Sequence, residues 1–232
     1  MLNNLNAFSV SVARLGRGLV ADPNARTPEK HLELYEFEGC PYCRKVREAM
    51  TELDLNYVCR TTPKGEGAKR AFVREQSGRA MFPFLVDPNT GRQMNQSEDI
   101  ITYLHNTYGS GRMVLGRMLS PLNTIGSSLA TVLRPLPGVR VRKGHGDRQQ
   151  PEQILELYNF EASPYCRKVR ERLCELNLDS LVHNVGKLSK HRPELVARGG
   201  KMMVPYLIDP NTGTEMYESD DIVAYLDRTY GS

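Results

Sequence analysis

The chain has 232 residues, of which 40% are hydrophobic and 25% are charged, and its formal net charge is +4. These values are typical of a globular protein with one or two domains, and so mild a basic charge gives no support to nucleic-acid binding. No apolar run reaches the roughly 18 residues that a membrane-spanning helix needs. The odd number of cysteines, five, does not resemble a disulfide scaffold, so we expect a reducing compartment, the cytoplasm.

The first predicted strand and helix meet at a pair of cysteines. Residues 32–37 alternate apolar and polar side chains, and a helical pattern follows over about 42–53. Cys40 is therefore expected at the exposed end of the helix, with Pro41 at the first helical position and Cys43 one turn further in. The unpaired N–H groups and the dipole of a helix start stabilise a thiolate, which is the nucleophile of thiol chemistry. The pattern predicts a thioredoxin-like redox site.

A structural zinc half-site is the alternative interpretation of this cysteine spacing. Zinc needs four ligands, and the other cysteines and the histidines form no second closely spaced pair, so we expect no metal. Cys59, on a predicted strand, and Cys174, on a predicted helix, are expected to be small buried apolar residues.

The rest of this unit completes a β-α-β then β-β-α order around one mixed sheet. Ser97 is predicted to be the N-cap of its last helix. The predicted elements are a strand near 57–61, a helix over about 66–76, a strand over 82–86, a turn over 87–91, a strand near 93–95 and a helix over 98–107.

The same blocks occur twice. Residues 33–48 recur at 156–171, residues 82–91 recur at 204–213, and residues 96–104 recur at 218–226. Three blocks in one order predict an α/β fold of two tandem domains, at 31–109 and at 153–232.

A similar segment precedes each predicted domain. Residues 1–30 and the linker 110–152 each contain a helix-like pattern, over 5–19 and 122–133, followed by an Arg, Gly and Pro run. We interpret both as parts of the repeat unit, because a counterpart inside the chain is unusual for a cleaved presequence. An organelle-targeting peptide is the alternative for the first segment.

Three motifs of the first copy resemble known families. Cys40-Pro41-Tyr42-Cys43 resembles the active site of dithiol glutaredoxins, and Phe82-Pro83 resembles the cis-proline loop of the thioredoxin fold. The stretch from Gln96-Ser97 to Leu104 resembles the motif with which the N-terminal domain of glutathione transferases holds the γ-glutamyl end of glutathione. The resemblance implies a two-domain thioredoxin-like fold, Cys40 as nucleophile and Cys43 as resolving thiol. It also implies a set of glutathione-binding residues: Tyr42, Phe82, Pro83, Gln96 and Ser97.

The second copy resembles the serine active sites of some plant transferases, because Ser163 stands where Cys40 does. Serine does not perform thiol–disulfide exchange, and Cys166 is expected to be buried and inert. The copy is therefore expected to bind without chemistry. Serine-type activity, in which the Ser163 hydroxyl donates to a glutathione thiolate, and a purely structural role are the alternatives. Its predicted site comprises Ser163, Tyr165, Cys166, Val204, Pro205, Glu218 and Ser219.

The leading hypothesis is a glutathione-linked thiol–disulfide oxidoreductase, a monomer or homodimer acting on disulfide-containing small molecules or proteins. Glu36 and Glu38 are expected to oppose ionisation of Cys40. A non-catalytic glutathione-binding module is the second hypothesis. Iron–sulfur binding through Cys40 and glutathione across a dimer is the third. Transferase activity on electrophiles is the fourth, because no long helical domain follows either copy.

Overall fold

The structure is a computed structural model that describes residues 18–65, 67–110 and 138–232. The helices predicted over 5–19 and 122–133 lie outside these residues, except for Gly18 and Leu19. The described elements are β1 (Leu32–Glu36), α1 (Pro41–Glu52), β2 (Tyr57–Thr61), α2 (Ala68–Ser77), β3 (Phe84–Asp87), β4 (Arg92–Asn95), α3 (Ser97–Tyr108), β5 (Leu155–Asn159), α4 (Pro164–Glu175), β6 (Ser180–Asn184), α5 (Arg192–Gly199), β7 (Tyr206–Asp209), β8 (Thr214–Met216) and α6 (Ser219–Tyr230).

The described strands form one sheet in the order β4-β3-β1-β2-β6-β5-β7-β8. In each copy the first two strands are parallel and the last two are antiparallel additions, which confirms the predicted α/β class and the βαβ-ββα order. The copies join through antiparallel pairing of β2 with β6, in which Tyr57 lies opposite Val182 and Cys59 lies opposite Ser180. This register places a pseudo-twofold axis at the pair of Val58 and Leu181.

Helix α1 forms because its sequence supplies both a start and an apolar face. Cys40 is the N-cap and Pro41 occupies the first turn, as predicted. Val46, Met50 and Leu53 recur at helical spacing and are buried against β1 and α3. Fully burying a side chain of this size contributes about 1.5–3 kcal/mol. Val182 of the second copy belongs to the same apolar cluster, so the core continues across the junction.

Two element starts differ from the sequence predictions. The Ser97 N-cap prediction is wrong, because α3 already includes Ser97 and its N-cap is Gln96, which makes no capping hydrogen bond through its side chain. Gln96 has φ 70°, so the chain turns at Gln96 and the helix begins at Ser97, one residue before the predicted start at residue 98. Strand β3 begins at Phe84 rather than at residue 82, because Pro83 has no N–H for the ladder.

Two crossing segments, residues 18–27 and 138–148, tie each copy to the other. Gly18 precedes the first copy, yet its carbonyl accepts a hydrogen bond from Ala162 N–H in the second, at 3.2 Å. Gly138 precedes the second copy, and its carbonyl accepts from Gly39 N–H in the first, also at 3.2 Å. Both glycines have φ near +70°, and a Cβ on either would lie within 3.0 Å of a glutamate side chain.

Candidate functional site

The structure places Cys40 where a helix start can act on its sulfur. Its backbone is extended, with φ −85° and ψ 121°, and its carbonyl accepts the Arg44 N–H at 3.1 Å. The Cys40 Sγ accepts the backbone N–H of Cys43 at 3.3 Å. Sulfur therefore takes the capping position that an oxygen usually holds, and a thiolate there gains more from the N–H donor than a thiol does.

The two cysteines of this motif have opposite shifts in pKa. A hydrogen bond from the Cys43 side chain, with backbone donors at Cys43 and Tyr42, lowers the pKa of Cys40 although burial opposes it. Burial and the hydrogen bond to Cys40 raise the pKa of Cys43 well above its usual range. The charge of Glu36 raises the pKa of Cys40, in the direction that the sequence predicts, without cancelling the depression. The geometry thus favours Cys40 as the thiolate and Cys43 as its proton-bearing neighbour.

Access to Cys40 differs from the sequence expectation. Only 4% of Cys40 is exposed, so the prediction of an exposed nucleophile is wrong for this structure. The adjoining residue Gly39 is held by the crossing segment through Gly138. Tyr42, which is 49% exposed, lies at the surface beside the buried thiol. Chemistry at Cys40 therefore depends on how reagents reach the sulfur as much as on its charge.

Contacts between elements link the three motifs of the first copy. The Phe37 ring, just before the cysteine motif, meets the Phe82 ring edge-on with centroids 6.4 Å apart. Lys45 of α1 forms an ion pair with Glu98, the residue after Ser97. The peptide before Pro83 is cis, as expected, and Pro83 is buried.

The start of α3 has a strained backbone and no hydrogen bond from a capping side chain. Ser97 is buried, whereas Gln96 is exposed in the left-handed region that residues other than glycine seldom adopt. Glu218 repeats this conformation in the second copy, with φ 67°. Backbone of this kind occurs more often at functional sites than elsewhere.

The second copy repeats the geometry with different chemistry. Ser163 is the N-cap of α4, and its Oγ accepts the Cys166 N–H at 3.3 Å. Burial raises the pKa of Cys166, as the sequence predicts. The peptide from Val204 to Pro205 is cis, and Tyr165 is 51% exposed.

An ion pair links α6 to α4 in the second copy, as Lys45 and Glu98 link α3 to α1 in the first. Lys168 of α4 lies 2.7 Å from the carboxylate of Asp220, the residue after Ser219. Ser219 is buried and Glu218 is exposed, like Ser97 and Gln96. The scaffold of the two sites is therefore the same, and the replacement of cysteine by Ser163 is their main chemical difference.

The remaining cysteines are buried, as predicted. The thiol of Cys59 donates to the Glu36 carboxylate at 3.3 Å, and that of Cys174 donates to the Gly138 carbonyl at 3.2 Å. Within residues 18–65, 67–110 and 138–232, no three His, Cys, Asp or Glu side chains are grouped as metal ligands. No helix of these ranges has the length and hydropathy of a membrane span.

A buried ion network between the copies is the main feature that the sequence analysis missed. Arg47, 1% exposed, forms ion pairs with Glu36 and Glu38 of its own copy and with Glu161 of the other. Arg170, the counterpart of Arg47 in the second copy, forms ion pairs with Glu161 of its own copy and with Glu38 of the first copy. The repeat did not indicate this network, because charged residues that recur on a helix face ordinarily predict a solvent-exposed face.

The network makes acid stability depend on Glu161. Burial alone would raise the pKa of Glu161, but Arg170 and Arg47 lower it from the ordinary 4.5 to about 2. A depressed folded-state pKa gives stability that is complete above pH 4.5 and is lost as the pH falls towards 2. We therefore expect the free energy of unfolding to fall by on the order of 3 kcal/mol over this window. Urea unfolding at each pH, with Glu161→Gln as the variant, checks this; an equally steep fall in the variant contradicts the assignment.

The geometry of these elements defines the class of protein. A cysteine at a helix N-cap, a cis-proline loop before an antiparallel strand and a strained residue before the last helix, on a βαβ-ββα scaffold, define a thioredoxin-fold protein.

Comparison with known proteins then gives the family. The family model "Glutathione S-transferase, N-terminal domain" matches residues 34–112 and 157–232, so the chain belongs to that family. Among solved structures, the chain is similar to "Leishmania TDR1 - a unique trimeric glutathione transferase" at 14% identity and a TM-score of 0.33. That match covers 87% of this chain and 67% of the other. Comparison with curated proteins gives no match.

Proposed function

We propose that the protein is a glutathione-linked thiol–disulfide oxidoreductase that acts through Cys40 of the first copy. The observation that carries this proposal is the position of the Cys40 sulfur at the N-cap of α1, where it accepts the Cys43 N–H at 3.3 Å; the lowered pKa of Cys40 and the raised pKa of Cys43 agree with it. Such a pair favours Cys40 as the attacking sulfur, because the thiolate is the nucleophile and Cys43 keeps its proton. The family supports glutathione as the co-substrate.

The proposed reaction exchanges one disulfide for another. The Cys40 thiolate attacks the glutathione sulfur of a mixed disulfide; the S–S bond breaks, and the substrate sulfur leaves as a thiolate that takes up a proton. A second glutathione, as thiolate, then attacks the sulfur of the bound glutathione. Glutathione disulfide leaves, and Cys40 returns to the thiolate. The substrate sulfur is reduced from the disulfide to the thiol level while the sulfur of the second glutathione is oxidised from the thiol to the disulfide level, so the electrons balance without a further reductant.

Residues around Cys40 have positioning roles in this proposal. The backbone next to Pro83 is suited to pair with the main chain of bound glutathione, and the exposed Tyr42 is suited to contact it. Ser97 and the N-terminus of α3 are suited to its γ-glutamyl carboxylate, because helix N-termini favour negative charge. Gln96 is exposed beside them for polar contact.

We assign the second copy to binding without exchange. Ser163 holds the position of the nucleophile, and Cys166 is buried with a raised pKa. The proline loop and the Glu218–Ser219 corner remain, so the binding features are kept while the reactive sulfur is absent.

A non-catalytic glutathione-binding module is the second candidate function. The observation that favours it is the 4% exposure of Cys40. Glutathione bound by the residues around the motif does not exchange with Cys40 as long as the enclosed sulfur is out of its reach.

One assay separates the two candidates. The full chain is mixed with reduced glutathione and the mixed disulfide of glutathione and 2-mercaptoethanol, and formation of glutathione disulfide is followed. The oxidoreductase proposal predicts turnover proportional to protein concentration. Retention on immobilised glutathione with turnover at the protein-free rate supports the binding module instead. Conjugation of an aryl halide to glutathione, measured in parallel, tests the transferase alternative.

A further inference from the structure

Two buried arginines at the junction have more hydrogen-bond donors than the structure satisfies. Arg44 is 5% exposed and Arg167, its counterpart in the second copy, is 3% exposed. In each, Nε and Nη1 are buried and make no hydrogen bond to any part of the chain that the structure describes. Buried donors of charged groups are nearly always satisfied, because leaving one unpaired costs about 1–3 kcal/mol or more.

The nearest carboxylates are already used by other arginines. Glu161 accepts from Arg47 Nε at 2.9 Å and lies 2.9 Å from Arg170 Nη2. Glu38 accepts from Arg170 Nε at 3.0 Å. Arg44 Nε and Arg167 Nε lie 3.7 Å from Glu161 and Glu38 respectively, which is beyond hydrogen-bonding distance.

The junction has an excess of buried hydrogen-bond donors. Four arginines, at 44, 47, 167 and 170, share this junction with Glu38 and Glu161, and the carboxyls of Glu36, Glu48 and Glu171 are also buried. Glu48 attracts Arg44 but leaves its two buried nitrogens without a hydrogen bond. Burial and the neighbouring charge of Arg44 lower the pKa of Arg167 to about 10. The two guanidinium groups therefore repel each other in a region with few free acceptors.

We propose that Arg44 and Arg167 form an anion site at the pseudo-twofold axis, which takes one small tetrahedral oxyanion such as inorganic phosphate or sulfate. An oxyanion carries only hydrogen-bond acceptors, and acceptors are what the four unpaired nitrogens of Arg44 and Arg167 lack. Guanidinium groups also bind oxyanions through paired hydrogen bonds. A tetrahedral ion presents acceptors to both arginines, which suits their symmetric placement. The enclosure of the nitrogens restricts the site to the free ion and excludes phosphate esters. This site does not rest on the proposed function.

Calorimetric titration of the full chain with inorganic phosphate, at ionic strength held with sodium chloride, tests the site. We expect one equivalent to bind, and Arg44→Gln and Arg167→Gln each to weaken binding by about tenfold or more, since a charged hydrogen bond contributes about 1.5–3 kcal/mol. Arg172→Gln is the matched control, because Arg172 lies on α4, the helix that carries Arg167, and is paired with Asp227 at 2.8 Å. It is expected to bind like the unaltered chain.

Thermal unfolding provides the second measurement. Phosphate is expected to raise the Tm of the unaltered chain and of Arg172→Gln, and to raise that of Arg44→Gln and Arg167→Gln far less. If a glutamine variant does not fold, Arg44→Lys and Arg167→Lys keep the charge and are compared instead. No phosphate binding by the unaltered chain, equal affinity in the arginine variants, or equally tight binding of phenyl phosphate overturns the proposal.

Discussion

Cys40→Ser is expected to reduce glutathione-dependent disulfide reduction to the rate measured without protein. Serine has the size of cysteine and caps the helix as Ser163 does in the second copy, where its Oγ accepts a backbone N–H at 3.3 Å. The fold is therefore kept and only the nucleophile is lost, because a hydroxyl does not perform thiol–disulfide exchange. Initial rates of glutathione disulfide formation give the comparison.

Cys174→Ser is the matched control for this loss. Cys174 is buried and lies outside both candidate sites, and its counterpart in the first copy is Thr51, so the fold already tolerates a hydroxyl there. We expect its activity to equal that of the unaltered chain. Equal activity in Cys40→Ser and the unaltered chain would remove Cys40 from the mechanism.

Arg47→Met is expected to lower the free energy of unfolding by about 3–5 kcal/mol. The side chain of Arg47 is 1% exposed and is shared by Glu36, Glu38 and Glu161, which belong to both copies. Methionine matches the aliphatic part of the arginine side chain but removes the guanidinium charge, so buried carboxylates lose a partner and have to take up protons or draw water into the junction. Urea unfolding at pH 7 measures the change.

Arg198→Met is the control for Arg47→Met. Arg198 forms a 3.0 Å ion pair with Glu215, but both side chains are more than a third exposed, and such pairs contribute about 0–1 kcal/mol. A loss as small in Arg47→Met as in Arg198→Met would show that the buried network does not hold the copies together.

The repeat and the local patterns were sufficient to predict most of the fold. Strand β1 and helix α1 follow from alternation at 32–37 and from Val46, Met50 and Leu53 at helical spacing. These features are local, so they are visible in the sequence. The position of Ser97 was misassigned because the left-handed turn lies at Gln96, and residues other than glycine give no local signal for that conformation.

The junction between the copies could not be predicted from the same patterns. Pairing of β2 with β6 joins residues more than 100 positions apart, and either copy read alone leaves that edge open. Glu38 was interpreted as a local influence on Cys40, but its carboxylate pairs with Arg170 of the other copy. Long-range ion pairs of this kind depend on how two units pack, which periodicity does not encode.

The burial of Cys40 also depends on contacts between the two copies, which local patterns do not predict. The sequence places the thiol at a helix start, and in the structure Cys40 is the N-cap of α1. Its 4% exposure depends on what packs against the motif, including the contact of Gly138 with Gly39 from the crossing segment. The chemistry of the site was therefore predictable from local residues, whereas its accessibility was not.

The pH dependence of Cys40 alkylation in the native chain tests the central claim most directly. Reaction with iodoacetamide is followed by mass spectrometry of the peptide that contains Cys40. The account predicts reaction at Cys40 before any other cysteine, with an inflection below the ~8.5 of an unperturbed thiol. An inflection at or above that value, or a native Cys40 that reacts only after unfolding, would contradict it.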